Sequence, residues 1–364
     1  MKIMNVVGAR PQFIKAAMVS HELRKHSDVN EVILHSGQHF DNNMSGDILN
    51  ELEFPDVNYN LGVNQLKHGA MTGRMLEMME DIFIKEQPDC VLVYGDTNTT
   101  LAGALAAKKL QVPVAHIESG MRSHNAKMPE ETNRIITDRI ADFLFCSSES
   151  AVNNLKKEGF DFFGVKIINS GDVMLDAALH YSKSAAQKST ILSKIGTGDF
   201  VLCTIHREEN TDDISKLSDL MKAIDLVHQK VPVVFPVHPR TKKNMEANNL
   251  KTDAILLEPA SYFDMLVLLK SCSLVMTDSG GLQKEAYFFA KPCLTLRYET
   301  EWTELADHGY NKIVGTVPDW IAKNFEWMMD NLPDFQIKLY GDGSAAKKIV
   351  DSILTSAKIP ILNS

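Results

Sequence analysis

Short apolar runs alternate with longer amphipathic stretches from the first residue onward. Residues 2–8 form an apolar run that predicts a strand, and residues 11–26 carry helical spacing. Further apolar runs at 31–36, 90–94, 113–117 and 143–146 are separated by helical stretches near 71–86, after Asp96 and near 130–140. The stretch after Asp96 is a small-residue helix containing Ala102, Ala104, Ala106 and Ala107. Continuous apolar runs mark strands buried on both faces, and their alternation with helices predicts a parallel sheet covered on both sides. The pattern restarts with runs at 200–205, 232–236, 254–257, 274–277 and 292–296. A helix is expected at 214–229, and a Ser/Lys-rich stretch at 183–198 precedes this second half. The expected architecture is α/β, with two Rossmann-like, doubly wound domains facing a central cleft. They span 1–170 and 171–344, and the C-terminal helix within 345–364 packs back on the first. Ligands of such sheets bind outside the carboxyl ends of the strands, so residues just after strands matter most.

Composition narrows the partners. The 364 residues suffice for two domains, and 44% apolar residues can fill two cores. A net charge of -9 argues against nucleic-acid binding. It leaves room for an anionic ligand held by a few focused cations. Five scattered cysteines without a C-x-x-C pair suggest reduced thiols rather than a metal or redox centre. With no signal-peptide core and no long apolar run, the expectation is a cytoplasmic protein without a membrane partner.

Five stretches at strand ends carry candidate chemistry. Gly8-Ala-Arg-Pro-Gln-Phe-Ile-Lys15 leaves the first strand and opens a helix. Gly8 permits a tight turn, Pro11 suits a helix start, and Arg10 and Lys15 add positive charge where free N–H groups attract anions. A helix cap with two solvated cations explains it equally well. Neither G-x-G-x-x-G nor G-x-x-x-x-G-K-[ST] is present, so the usual dinucleotide and P-loop readings fail. Asp96 follows the third strand either as a carboxylate at the ligand edge or as the cap of the next helix. Glu118 ends a strand within His116-Ile-Glu118-Ser-Gly-Met-Arg122. Glu130 and Glu131 open a helix, where an acid also suits the helix dipole. Asp96, Glu118 and Glu130 fall on one side of one sheet, and gathered carboxylates can supply a neutral acid beside an ionised base.

In the second half, His206 and Arg207 end a strand, as do His238 and Arg240 in a similar place. Such pairs suit phosphate binding or proton transfer. Thr277-Asp-Ser279-Gly280-Gly281-Leu-Gln-Lys-Glu285 reads as strand, turn and helix. Its amides and the Ser279 hydroxyl can cradle a diphosphate, and Glu285 can accept from ribose hydroxyls. A glycine turn capping a packed helix is the plainer alternative.

These stretches, together with G-Q-H at 37–39, P-E-E-x-N-R at 129–134 and H-P-R at 238–240, are spread in order over nearly the whole chain. They resemble the non-hydrolysing UDP-N-acetylglucosamine 2-epimerase family. The resemblance implies a glycosyltransferase-B-like fold, usually a homodimer, a UDP-sugar substrate, and neither metal nor nicotinamide cofactor. It implies that UDP leaves C1 as the C2 proton is removed, giving a 2-acetamidoglucal. UDP then returns after a proton is delivered to the opposite face. Carried over position by position, Arg10, His206, Ser279, Gly280, Gly281 and Glu285 match UDP-binding residues, joined by Arg134 and Arg207. Asp96, Glu118 and Glu130 match the acid/base carboxylates, with His206 beside them. Lys15 and Gln38 line the sugar side. Which carboxylate is base and which is acid stays open.

The resemblance has departures. Gln12 stands where the commonest members carry Glu, and Phe40 and Asp41 interrupt a stretch linked to an allosteric UDP-sugar site. Trp302 stands where those members carry Arg. The leading expectation is a C2 epimerase of the UDP-N-acetylglucosamine to UDP-N-acetylmannosamine type, serving surface polysaccharide precursors. The departures look more like the branch acting on UDP-2,3-diacetamido-2,3-dideoxyglucuronic acid, which is the alternative. A glycosyltransferase on the same fold and a non-catalytic nucleotide-sugar sensor are further readings; the three carboxylates speak against both.

Overall fold

The computed structural model describes residues 1–38, 49–196 and 198–357. Phe40, Asp41 and residues 358–364 of the closing segment lie outside the described residues. The chain forms two compact units. One comprises Met1–Leu179 and the described part of the segment from Leu339 onward, and the other is His180–Lys338.

The first unit is built on β1 (Lys2–Val7), β2 (Asn30–His35), β3 (Tyr59–Asn60), β4 (Cys90–Tyr94), β5 (Val114–Ser119), β6 (Phe143–Cys146) and β7 (Lys166–Asn169). They form one sheet in the order β3-β2-β1-β4-β5-β6-β7, and every neighbouring pair is parallel. Every residue of β4 is buried, as its unbroken apolar sequence requires. The helix His68–Glu86 buries Met71, Met75, Met79 and Phe83, one residue in four along a single stripe. Burial of each is worth about 1.5–3 kcal/mol, so packing rather than propensity holds this helix. It lies against the helix Asn98–Lys109, whose buried side includes Ala102, Gly103, Ala104, Ala106 and Ala107. A Cβ on Gly103 would stand 3.2 Å from Val93 and 3.3 Å from Val6, so glycine lets this helix lie low on the sheet. The helix Ala345–Ala357 packs against the helix Arg10–Leu23. Its first amides, from Ala345 and Ala346, donate to Asp176 at 3.1 and 2.8 Å.

The second unit carries β8 (Val201–Thr204), β9 (Val233–Pro236), β10 (Ile255–Leu257), β11 (Leu274–Thr277), β12 (Cys293–Thr295) and β13 (Asn311–Ile313). The order is β10-β9-β8-β11-β12-β13, again all parallel. Val201 and Cys203 enter one core layer and Leu202 enters the other, the period of two expected for a sheet covered on both faces.

Both sheets are doubly wound. The strand order reverses between β1 and β4 in one and between β8 and β11 in the other. At such a switch point the loops leaving the two strands run to opposite faces and open a crevice. Among the described residues, no helix is long and apolar enough to cross a membrane. Nor is any group of His, Cys, Asp and Glu arranged to hold a metal ion. The five cysteines are buried and unpaired.

Candidate active site

The first switch point is closed by one buried side chain. Gln12, on the first turn of the helix after β1, is 2% exposed. Its Oε1 accepts from the backbone N–H groups of Gly8 and Ala9 at 2.8 and 3.0 Å. Its Nε2 faces the Tyr94 carbonyl at 2.8 Å and the hydroxyls of Thr97 and Thr100 at 2.9 and 3.0 Å. The turn that carries Arg10 is thereby tied to the turn that carries Asp96. Arg10 is half-buried and has no hydrogen-bond or ion-pair partner among the described residues. The cap of the following helix is Thr97, whose hydroxyl accepts from the Thr100 amide at 3.3 Å. The capping alternative for Asp96 therefore falls, and its side chain is left for other work.

Below this turn, Lys15 forms an ion pair with Glu118 in which both side chains are largely buried. Glu118 holds a left-handed backbone, φ +71°, at an irregularity between β5 and β6. A non-glycine residue there is strained, and such strain gathers at functional sites. Gly95 has φ +61°, and a Cβ on it would stand 3.3 Å from Glu118 Oε2 and 3.7 Å from Lys15 Nζ. Glycine thus brings the backbone beside Asp96 down onto the ion pair.

The Glu118 turn rests on a buried charge network. His116 Nδ1 donates to Asp138 at 2.7 Å and its Nε2 donates to the Gly95 carbonyl at 2.6 Å, since both partners are acceptors. Asp138 also accepts from the Gly120 amide at 3.1 Å and from Arg122 at 2.7 Å. Burial alone would raise the Asp138 carboxyl, but His116 and Arg122 outweigh it and hold it below the usual carboxylate range. Arg122 completes a two-pronged pair with Glu158 at 2.7 and 2.9 Å. In the motif His116-Ile-Glu118-Ser-Gly-Met-Arg122, the outer residues are thus the scaffold of the middle one.

Asp96 pairs with Arg134, which also meets Glu131 at 2.5 Å. Glu131 does not merely complement the helix dipole. It is 4% exposed and accepts from Ser123 N, Ser123 Oγ and His124 N at 2.9, 2.9 and 3.0 Å. Burial would raise its carboxyl, yet the Ser123 hydrogen bonds and Arg134 bring it below the ordinary value. Glu130 is different: it is half-buried, and no described residue bonds its carboxylate. Gln38 is fastened by the Thr99 amide and hydroxyl at 3.1 and 2.8 Å. The amide of Asn133 spans the Asp96 carbonyl and Asn98, at 2.9 and 3.3 Å.

The second switch point is also closed by one side chain, one that sequence reasoning left out of the site. Asp278, fully buried, accepts from His206 N at 3.1 Å, Arg207 N at 3.0 Å and Asn210 Nδ2 at 3.1 Å. The His206 ring stands 3.4 Å from the same carboxylate. Position alone could have flagged it, for an acid directly after an apolar run faces the preceding strand's turn. Ser279 caps the helix Gly280–Phe288 through the Leu282 amide at 3.4 Å. Gly281 is exposed, and Glu285 lies in the same helix, half-buried. A Cβ on Gly280 would collide with Glu301, whose carboxylate meets Arg297 at 2.8 Å and Arg207 at 3.7 Å. Trp302 donates its indole N–H to the Gly280 carbonyl at 2.9 Å, and Lys284 lies 4.0 Å from its ring centroid. Trp302 therefore braces the Ser-Gly-Gly turn. His238 holds the Arg240 amide and stacks obliquely near His206.

Two doubly wound parallel units with polar crevices define a glycosyltransferase-B-like α/β protein. The family described as UDP-N-acetylglucosamine 2-epimerase matches residues 21–354. The chain is 47% identical to the UDP-2,3-diacetamido-2,3-dideoxy-D-glucuronate 2-epimerase of Pseudomonas aeruginosa, with 96% of this chain and 99% of that protein covered. Its fold is similar to the crystal structure of Methanocaldococcus jannaschii UDP-GlcNAc 2-epimerase in complex with UDP-GlcNAc and UDP. The TM-score is 0.89 at 37% identity, covering 98% of this chain and 100% of that one. The Neisseria meningitidis enzyme bound to UDP-GlcNAc gives a TM-score of 0.87 at 30% identity, covering 98% and 100%. The chain belongs to the UDP-N-acetylglucosamine 2-epimerase family, and it is an isomerase acting on carbohydrates.

Proposed function

We propose that this enzyme inverts C2 of a UDP-activated acetamido sugar, and that the sugar is 2,3-diacetamido-2,3-dideoxyglucuronic acid. The observation that carries the chemistry is three carboxylates on one strand edge in three charge settings. Glu118 is paired with Lys15, Asp96 is paired with Arg134, and Glu130 has no described partner. Inversion needs one group to take the C2 proton and another to deliver a proton to the opposite face. Departure of UDP needs its growing negative charge met by preorganised donors. Arg10, His206, Arg207 and the Ser279-Gly280-Gly281 amides take that part. Glu285 accepts from the ribose, and Gln38 and Lys15 border the sugar. Elimination across C1 and C2 gives the 2-acetamidoglucal, and re-addition of UDP after reprotonation gives the epimer.

The choice of sugar reverses the leading expectation from sequence, which was plain UDP-N-acetylglucosamine. It is supported by the 47% identity to the Pseudomonas aeruginosa protein, against 37% to the UDP-N-acetylglucosamine 2-epimerase of Methanocaldococcus jannaschii. Gln12 and Trp302, both departures from the commonest members, each brace a strand-end turn. The second reading, UDP-N-acetylglucosamine, is favoured by the ligand of two similar solved structures. A homodimer working in the cytoplasm is part of the proposal, and light scattering checks the first point.

The test is an NMR comparison of the two UDP-sugars in deuterium oxide. The expected result is deuterium at C2 and a C2 epimer from the diacetamido-uronate, with at least about tenfold lower kcat/KM for UDP-N-acetylglucosamine. Equal or better turnover of UDP-N-acetylglucosamine overturns the choice of sugar. No C2 exchange with either overturns the chemistry.

A further inference from the structure

The two turns of the first crevice are joined through a side chain that stands back from the crevice. We propose that Gln12 is a positioning residue for the reaction. It sets the turn bearing Arg10 and the turn bearing Asp96 as one piece, so that the cation meeting the diphosphate and the carboxylate working at C2 keep a fixed relation. The inference rests on the placing of Arg10 and Asp96 in the proposed function.

The geometry asks for a neutral carboxamide. At one end stand two backbone donors, Gly8 N–H at 2.8 Å and Ala9 N–H at 3.0 Å. At the other end stands a backbone acceptor, the Tyr94 carbonyl at 2.8 Å. Neither end can change its polarity, so the amide has one orientation that satisfies both. Thr100 shares that carbonyl, donating its hydroxyl proton at 2.6 Å, and the Thr97 hydroxyl accepts from the Thr100 amide as helix cap. Neither hydroxyl lies on the turn that bears Arg10, so only Gln12 ties that turn to the Tyr94 carbonyl. Gln12, itself 2% exposed, joins chain segments more than eighty residues apart: its Oε1 accepts from two backbone amides, and its two Nε2 hydrogens are shared among the Tyr94 carbonyl and the Thr97 and Thr100 hydroxyls. An ionised Glu at this position would press an oxygen against the Tyr94 carbonyl, whereas a protonated Glu would restore a donor. Gln12 thus supplies a donor and an acceptor at once, and neither titrates.

The difference makes a signature that mere structural support would not give. Three forms, wild type, Gln12→Glu and Gln12→Met, are compared for kcat, KM and UDP affinity from about pH 5.5 to about pH 8.5. Hydrogen exchange is followed in peptides covering residues 8–12 and 94–100. Gln12→Glu is expected to approach wild-type kcat at the acid end and to lose about tenfold or more as pH rises, a limb the wild type lacks. Gln12→Met is expected to lose about 10–100-fold in kcat/KM, with faster exchange in both turns together. A Gln12→Glu profile parallel to wild type overturns the proposal. So does Gln12→Met with unchanged kcat/KM, or faster exchange confined to one turn. If Gln12→Met does not fold, the two ends of the Gln12→Glu profile decide. If wild type turns over neither UDP-sugar, the functional reading has failed separately, and paired exchange in the two turns still decides whether Gln12 couples them.

Discussion

Each unit closes its switch point with a single buried side chain, but the two chains differ in charge. Gln12 bridges β1 and β4 with a neutral amide, while Asp278 bridges β8 and β11 with a carboxylate. The surroundings explain the difference. On the first edge, Glu118, Asp96 and Glu131 are already matched by Lys15 and Arg134. Another buried charge there would lack a partner and cost several kcal/mol. On the second edge the Asp278 carboxylate faces the His206 ring and holds the backbone amides of His206 and Arg207, and so fixes the turn that carries both side chains where a diphosphate is proposed to lie. The first edge is thus built to keep several acids apart in environment. The second is built to aim donors and positive charge at one place.

The comparison breaks first, and hardest, at the acids of the first edge. Glu118→Gln or Asp96→Asn is expected to cost about 10²–10⁴-fold in kcat, with UDP affinity near wild type. Stopped exchange at C2 with retained UDP binding is the combination to measure. Near-normal kcat in both variants would remove these acids from the chemistry and leave the first edge a structural one. Glu118→Gln also leaves Lys15 buried without its partner, so thermal melting must accompany the kinetics.

At the second edge the balance reverses. Asp278→Ala strips the acceptor from two backbone N–H groups and from Asn210. We expect a loss of about 2–4 kcal/mol in stability and at least about tenfold weaker UDP binding. Calorimetry should show the affinity falling at temperatures where the variant is still folded. Unaltered UDP affinity would mean that Asp278 supports the fold alone. A milder probe is Arg10→Ala, which has no described partner to strand. It is expected to weaken UDP binding by about tenfold and to leave the melting temperature within about a degree. Loss of kcat alone would move Arg10 from the diphosphate to the sugar.

The strands, the restart of the pattern and the strand-end turns were legible in sequence because each is a local signal. The apolar run Cys90–Tyr94 declares a buried strand, and Ser279-Gly280-Gly281 declares a helix start. What joins them was not legible. Whether Asp96 capped a helix depended on whether the Thr97 hydroxyl took that place, a choice between adjacent residues that spacing cannot make. His116 and Arg122 stood only as the ends of a motif around Glu118, because Asp138 and Glu158, which make them its support, are distant in sequence. Gln12 registered only as a departure, because the carbonyl that gives it meaning lies 82 residues away. The strained backbone of Glu118 had no sequence signal at all, since glycine would have been the residue expected at φ +71°.

The smallest effect sharpens the comparison from outside both crevices. The first unit's core acids, Asp138 and Glu131, are held below their ordinary range, so their contribution to stability is present above the unfolded value and is lost as pH falls. Asp176, which caps the closing helix, runs the other way. Burial pushes its carboxyl up to about 6, with Asp172 and Asp342 adding to the rise and the Ala346 and Ala345 amides opposing it. An acid raised in the folded state stabilises most below its unfolded value, near pH 4, and that contribution is lost as pH rises through about 6. Asp176→Asn keeps one oxygen for the helix amides and removes the charge. The variant should therefore melt close to wild type near pH 4, where the carboxyl is already neutral, and above it by about pH 7, where wild type has lost that contribution, a shift of a few degrees at most. Parallel melting curves across that range would mean that the carboxyl is ionised throughout, and that the helix start offsets its burial more fully than its surroundings imply.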